Sequence, residues 1–400
     1  MKTHFWSVFI SLILFGGNDI SVFAQGWTQL DDFPSSARDD GTSFTINLTT
    51  YCGTGLDGAW NPTNDFYAFD MSLESWTTSA GLPQVEARQY ASGFTSTTHG
   101  YVFGGVNGSG FLNDLWKYDP ISDSWSEVSA LPALGRSGTS RIVMGDTAYI
   151  IGGRTSSALS IAEVWAYSMT SDTWTQKNNL PESLWRASAI AFQGKGYLVF
   201  GLNNAGLYKN EIYEYDPTND SWSNLANFPG VGRTYVSIYL LDDQIVLLAG
   251  RDSIGNSYND MWKFDVLANS WSISYNLPAS QRRGGMCFHS NSAIYYTTGI
   301  DFNNSRLTET WKYDLFLSEN ETDMDAFSMY PNPATIELNI QLKNGFDDSH
   351  YRIYSLTGQI LQSAKLETTQ RIDIAELAPG NYLIELQSAE KKQTKRFVIN

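Results

Sequence analysis

Tryptophan recurs at a nearly constant interval along this chain of 400 residues: Trp27, Trp76, Trp125, Trp174, Trp222 and Trp271, with gaps of 49, 49, 49, 48 and 49. A period of that length marks stacked supersecondary units, each too small to bury its own apolar face. Other positions repeat in phase. Every unit has a Phe-Pro or Leu-Pro step (Phe33-Pro34, Leu82-Pro83, Leu131-Pro132, Leu180-Pro181, Phe228-Pro229, Leu277-Pro278). An arginine follows: Arg38, Arg88, Arg136, Arg186, Arg233 and Arg282. An apolar run ending in glycine comes next, and then an acidic residue before an aromatic segment (Asp65, Asp114, Glu163, Glu211, Asp260, Glu309).

One unit resolves into four short strands. Arg136 to Met144 is turned by Gly145-Asp146, Ala148 to Ile151 ends at Gly152-Gly153, and Glu163 to Ser168 turns at Ser171-Asp172 into Thr173 to Lys177. Short strands at regular spacing with turn residues between them predict an all-β fold. Six such units predict a six-bladed β-propeller, which hides its sheet edges by radial repetition. The first strands carry small residues (Gly138, Ser140, Ala187, Ala189, Gly284, Gly285), as crowding around a central channel requires. The second strands, such as Tyr197 to Phe200 and Ile245 to Leu248, are apolar throughout, as for strands covered on both faces. Trp27 sits at a fourth-strand position with no strands before it, and Arg282 to Asp314 supplies three strands with no fourth. The N-terminal strand is therefore expected to complete the last blade.

Charge and cysteine content narrow the partners. A formal charge of −16 disfavours nucleic acid, whose phosphates require a basic stripe. With only Cys52 and Cys287 there is no disulfide framework, so the hydrophobic core must hold the fold. Lys2, the apolar run Phe5 to Phe15 and Val22-Phe23-Ala24 read as a secretory signal over residues 1–24. No other stretch reaches membrane-spanning length, so the mature chain is expected to lack a transmembrane segment.

The double glycines at Gly104-Gly105 and Gly152-Gly153, the segments Trp116-Lys-Tyr-Asp119, Trp262-Lys-Phe-Asp265 and Trp311-Lys-Tyr-Asp314, and the spaced tryptophan resemble the kelch family of propellers over residues 25–315. The resemblance departs at Tyr51-Cys-Gly-Thr-Gly55 and at Gly201, Gly250 and Gly299, where one glycine remains.

The period stops at Leu315. Residues 316–327 read as an acidic linker, and residues 328–400 as a small β-sandwich of alternating strands. There Tyr330-Pro-Asn-Pro-Ala334, Tyr354-Ser-Leu-Thr-Gly358, Leu377-Ala-Pro-Gly-Asn-Tyr382 and the basic stretch Lys391 to Phe397 resemble the C-terminal sorting domain of the type IX secretion system of Bacteroidetes. That resemblance implies the type IX machinery as partner and an extracellular or outer cell-surface location.

Function must be argued from a site, because the fold does not decide it. The loops Val106 to Asn113, Leu202 to Asn210, Arg251 to Asn259 and Ile300 to Thr308 are long and lie on one face by strand direction. Binding residues concentrate on such loops. The repeat arginines start the innermost strands on the same face, so Arg88, Arg136, Arg186, Arg233 and Arg282 are candidate ligands for an anion. Kelch ubiquitin-ligase adaptors place arginines comparably. The competing reading, which the recurrence favours, pairs each arginine with a repeat carboxylate such as Asp114 or Glu163. Arg154, Trp185, Tyr208, Arg251, Tyr258 and Asp301 break the repeat on this face, as does Asp252, and suit a sugar ring.

No cofactor or metal site is expected. His4 and His350 lie outside the propeller, and His99 and His289 fall near the short turns of the opposite face, so the copper chemistry of galactose oxidase lacks its ligands. Phosphate-loop and nucleophile-elbow motifs are missing as well. The expectation is an exported propeller that binds a glycan or protein through its loop-bearing face. A metal-free sugar-processing enzyme of the sialic-acid epimerase type, and a structural cell-surface component, remain alternatives.

Overall fold

Most propeller hairpins turn at a residue that takes positive φ. In the third unit Ser140–Met144 pairs with Thr147–Ile151 around Gly145 (φ 60°), and Val164–Ser168 pairs with Thr173–Lys177 around Asp172 (φ 54°). The second strand of this unit buries Ala148, Tyr149, Ile150 and Ile151 in succession, because sheets cover both its faces. The fourth strand is mostly exposed. The structure is a computed structural model describing residues 26–241, 244–314, 327–342, 350–355, 360–366, 369–387 and 392–399. The expected signal segment, residues 1–24, and residues 315–326 of the linker region lie outside the described residues.

Before the C-terminal unit, the chain forms a β-propeller with six four-stranded sheets among the described residues. Their innermost strands are Thr42–Ile46, Ser92–Thr95, Ser140–Met144, Ser188–Phe192, Ser237–Leu241 and Met286–His289. Each contacts the next, and the last contacts the first. In the sixth sheet Met286–His289, Ala293–Thr297 and Thr310–Asp314 are joined by the N-terminal strand Trp27–Leu30, with Trp27 opposite Tyr313.

The tryptophan period has a direct physical cause. Every periodic indole N–H donates to a backbone oxygen just beyond the fourth strand of the preceding sheet. Trp76 reaches Asp31 (3.2 Å), Trp125 reaches Ala80 (2.8 Å), Trp174 reaches Ser129 (2.8 Å) and Trp222 reaches Asn178 (3.3 Å). Trp271 reaches Ala226 (3.3 Å), and Trp27 completes the series on Tyr275 (3.4 Å). Trp27 is buried, and burying an indole of this size contributes about 4–6 kcal/mol. The core is divided into clusters between neighbouring sheets; Phe44, Phe66, Val102 and Tyr118, from the first and second, share one of them.

The C-terminal unit has a three-stranded sheet (Phe327–Tyr330, Glu337–Leu342, Thr369–Asp373) and a four-stranded sheet (Ile360–Lys365, His350–Ser355, Gly380–Gln387, Lys392–Ile399). Phe327, Leu338, Ile353, Ile384 and Phe397 lie in its core. Of its motifs, Leu356 to Gly358 and Lys391 fall outside the described residues.

Candidate functional site

The repeat arginines are internal fasteners. Arg88 is fully buried and forks onto both carboxylate oxygens of Asp114 at 2.8 Å. Arg38 does the same to Asp65 (2.6 and 2.9 Å), and Arg233 to Asp260 (2.6 and 2.8 Å). Arg136 reaches Glu163 at 2.9 Å, and Arg282 reaches Glu309 at 2.5 Å. In four units the same carboxylate also accepts the indole N–H two residues on, from Trp116, Trp165, Trp262 and Trp311. Burial works against the ionised form of Asp65, yet Arg38 outweighs it and holds the carboxyl below its usual range. Arg88, Arg136, Arg233 and Arg282 are buried and each is paired with a carboxylate inside its blade, the arrangement that the competing, blade-fastening reading expects.

Arg186 departs from this pattern, and the backbone shows why. The glycine N–H that follows each second strand donates to the carbonyl of the next unit's fastening residue: Gly55 to Arg88, Gly105 to Arg136, Gly201 to Arg233, Gly250 to Arg282 and Gly299 to Arg38. Gly153 of the third unit instead donates to Leu184 of the fourth. Leu184, buried, takes the place of the arginine, while Glu211 pairs with Lys209 at 2.8 Å. Arg186 sits two residues further on and is released from blade fastening.

That further position lines the mouth of the channel. Its occupants are Asp40, Tyr90, Gly138, Arg186, Tyr235 and Gly284, all with φ between 56° and 67°. A belt of backbone bonds joins them: Tyr90 N–H to Asp40 O, Gly138 to Tyr90, Arg186 to Gly138, Tyr235 to Arg186, and Asp40 to Gly284. The two glycines leave room for their neighbours. A Cβ on Gly138 would lie 2.5 Å from Trp185 Nε1, and one on Gly284 would lie 2.8 Å from Asp40 Oδ1.

The space is filled by the Arg186 guanidinium among aromatic rings. The Arg186 guanidinium carbon lies 3.8 Å from the Trp185 ring centroid, 4.2 Å from that of Tyr235 and 4.5 Å from that of Tyr90. Such contacts grow stronger where water is excluded. Arg283 stacks on Tyr235 at 4.9 Å, and Asp39 accepts from Arg306 Nε at 2.6 Å. Burial, and then the charge of Asp39, push the Asp40 carboxyl up to about 7, although Arg186, Tyr90 and Arg283 favour its ionised form. Burial and the charge of Asp40 raise Tyr90 and Tyr235 above the usual phenol value. Asp40 Oδ1, Trp185 Nε1 and Arg186 Nε are buried without a hydrogen-bond partner among the described residues.

Of the other candidates, Arg154 is exposed beside this cluster, 5.1 Å from the Trp185 ring. Tyr258 stacks on the buried Arg233 at 3.7 Å and donates to Asp252 at 2.8 Å, so it braces its loop. Asp301 accepts the backbone N–H groups of Asn303 and Ser305 and shapes a turn. Tyr208 and Arg251 are half-buried on neighbouring loops, bridged to Leu202 and to Thr234 and Ser257. Sequence reasoning missed Asp40, Tyr90, Tyr235, Arg283 and Arg306. The available signal was variation at the position two residues after the fastening residue.

His289 ends its innermost strand beside the short turn Ser290 to Ser292, as expected, and it also lines the channel together with Cys287. Cys52 and Cys287 are unbridged, and burial, reinforced by Cys287, raises the Cys52 thiol. No cluster of three or more His, Cys, Asp or Glu able to hold a metal occurs among the described residues.

Residues 25–182 match the family profile of the KLHDC2/KLHL20/DRC7 Kelch-repeats domain, and residues 328–400 match the secretion system C-terminal sorting domain. The chain therefore carries a kelch-repeat domain and a type IX sorting tail, which implies export. Among solved structures it is similar to that of YjhT, with 20% identity, a TM-score of 0.61, and coverage of 70% of this chain and 96% of the other. That likeness concerns the fold. No curated protein is significantly similar in sequence.

Proposed function

We propose that this exported kelch protein binds a glycan at the loop-side mouth of its channel, with Arg186, Trp185, Tyr90, Tyr235 and Asp40 as the recognition group. The observation that carries this reading is the clustering at one point of three of the buried polar atoms that lack partners among the described residues, on Asp40, Trp185 and Arg186. Leaving such a group unsatisfied costs about 1–3 kcal/mol, and a ligand rich in hydroxyls relieves that cost on binding. Ring faces beside planar hydrogen-bonding groups suit a sugar. Around the mouth the loops expose Trp60, Val85, Leu207, Ile254 and Phe302, an apolar rim for the rest of the ligand.

A glycan array followed by calorimetry on the whole protein tests this. Binding lost in Arg186→Ala and retained in Val143→Ala supports the reading. Array silence combined with capture of a protein at the same loops replaces the glycan with a protein partner. Absence of any saturable ligand favours a structural surface component.

A second reading is catalysis: Asp40 packs at the mouth with Tyr90, Tyr235, Arg186 and Arg283, and burial raises its carboxyl towards the range a metal-free general acid or base uses. NMR of any bound sugar over hours separates a binder from an enzyme.

A further inference from the structure

Beyond the mouth, a cavity of about 390 Å³ is walled by residues of the innermost strands. Arg141 and His289 stand in this wall among Ser43, Thr45, Thr95 and Cys287, and Val143, Ile238 and Leu240 supply apolar surface. Among the described residues no carboxylate lines it. Arg141 Nε donates to the Gly93 carbonyl oxygen at 2.7 Å, and Arg141 makes no ion pair among the described residues. It is the contrast with the fastening arginines that matters: five of those have a carboxylate, whereas Arg141 faces the cavity with no carboxylate partner among the described residues.

We propose that this cavity binds a small organic monocarboxylate, its carboxylate paired with Arg141 and its apolar body resting on Val143, Ile238 and Leu240. A guanidinium fork matches a carboxylate in shape and charge. An uncompensated cation inside a narrow low-dielectric channel concentrates anions more strongly than one on an open surface. The volume is at the small end of ligand pockets and suits a single-ring acid. By strand order the cavity lies on the tight-turn side of the mouth cluster, so this site stands independently of the glycan reading. Burial, and then the charge of Arg141, hold the His289 pKa at about 4, so its imidazole is neutral at physiological pH. Beside it, Arg141 and Cys287 are the charged or titratable groups lining the cavity.

Benzoate is the probe, with benzamide as its neutral counterpart, titrated calorimetrically into the whole protein while NMR follows the His289 ring. Benzoate is expected to bind at least about tenfold more tightly than benzamide, and the His289 pKa to rise at saturation as the bound anion offsets Arg141. Arg141→Met is expected to weaken benzoate by about tenfold or more and to leave benzamide unchanged. Equal affinities for the two probes, no binding of benzoate at millimolar concentration, or an unmoved His289 pKa overturns the proposal. Should Arg141→Met fail to fold, the comparison of the two probes on the unsubstituted protein decides alone.

Discussion

The hydroxyls of Tyr90 and Tyr235 meet 3.2 Å apart although 145 residues separate them. They belong to the second and fifth of six sheets, three steps apart around the ring, so their contact spans the channel mouth. Arg186, from the fourth sheet, packs against both rings. Three units thus converge on one point, and the fastening arginines stand outside it.

That division of labour predicts opposite outcomes for two arginine variants. Arg136→Ala removes a buried side chain and leaves the partly exposed Glu163 with only the Trp165 indole, and should destabilise the protein by about 1.5–3 kcal/mol in chemical denaturation. Arg186→Ala should change the melting temperature by only a few degrees while abolishing glycan binding. Equal losses of stability would show that both arginines fasten blades.

Asp40 predicts a pH dependence with a definite sign. Its folded pKa of about 7 lies above the ordinary carboxyl value of 3.8, so between those values the folded protein holds a proton that the unfolded chain has released. The Asp40 contribution is therefore full below about pH 4 and is lost as pH rises towards 7. Asp40→Asn should remove that loss, gaining stability over the unsubstituted protein at pH 8 relative to pH 4. Parallel stability curves for the two proteins would place the Asp40 pKa near its ordinary value.

The N-terminal strand predicts a position-specific cost. Trp27→Ala removes a buried indole and its bond to Tyr275 and should cost about 3–5 kcal/mol. Trp60→Ala, at a side chain 68% exposed, should change stability by less than about 0.5 kcal/mol. Calorimetric melting of the two variants makes the comparison.

Removing the sorting tail separates export from folding. A chain ending at Leu317 should melt cooperatively as an all-β protein yet fail to leave the cell. An unfolded product would place the domain boundary elsewhere.

The sequence by itself determined the all-β architecture, the repeating sheets and the sorting tail. The physical reason is repetition: every unit meets the same neighbour, so each tryptophan, fastening arginine and paired carboxylate solves the same local problem at the same spacing. The pairing of Arg88 with Asp114 was legible in that way, as a recurrent opposite charge. Arg186 was misread, since an arginine two residues out of phase looks like a member of the series. Only the backbone bond from Gly153 identifies Leu184 as the true occupant. Tertiary structure alone decided the mouth and the cavity. Asp40, Tyr90, Arg186 and Tyr235 are far apart in the chain and meet because six innermost strands start around one axis. Arg141 and His289 likewise share a wall only because residues of those strands turn inward. No local pattern encodes which side chains face each other across a ring.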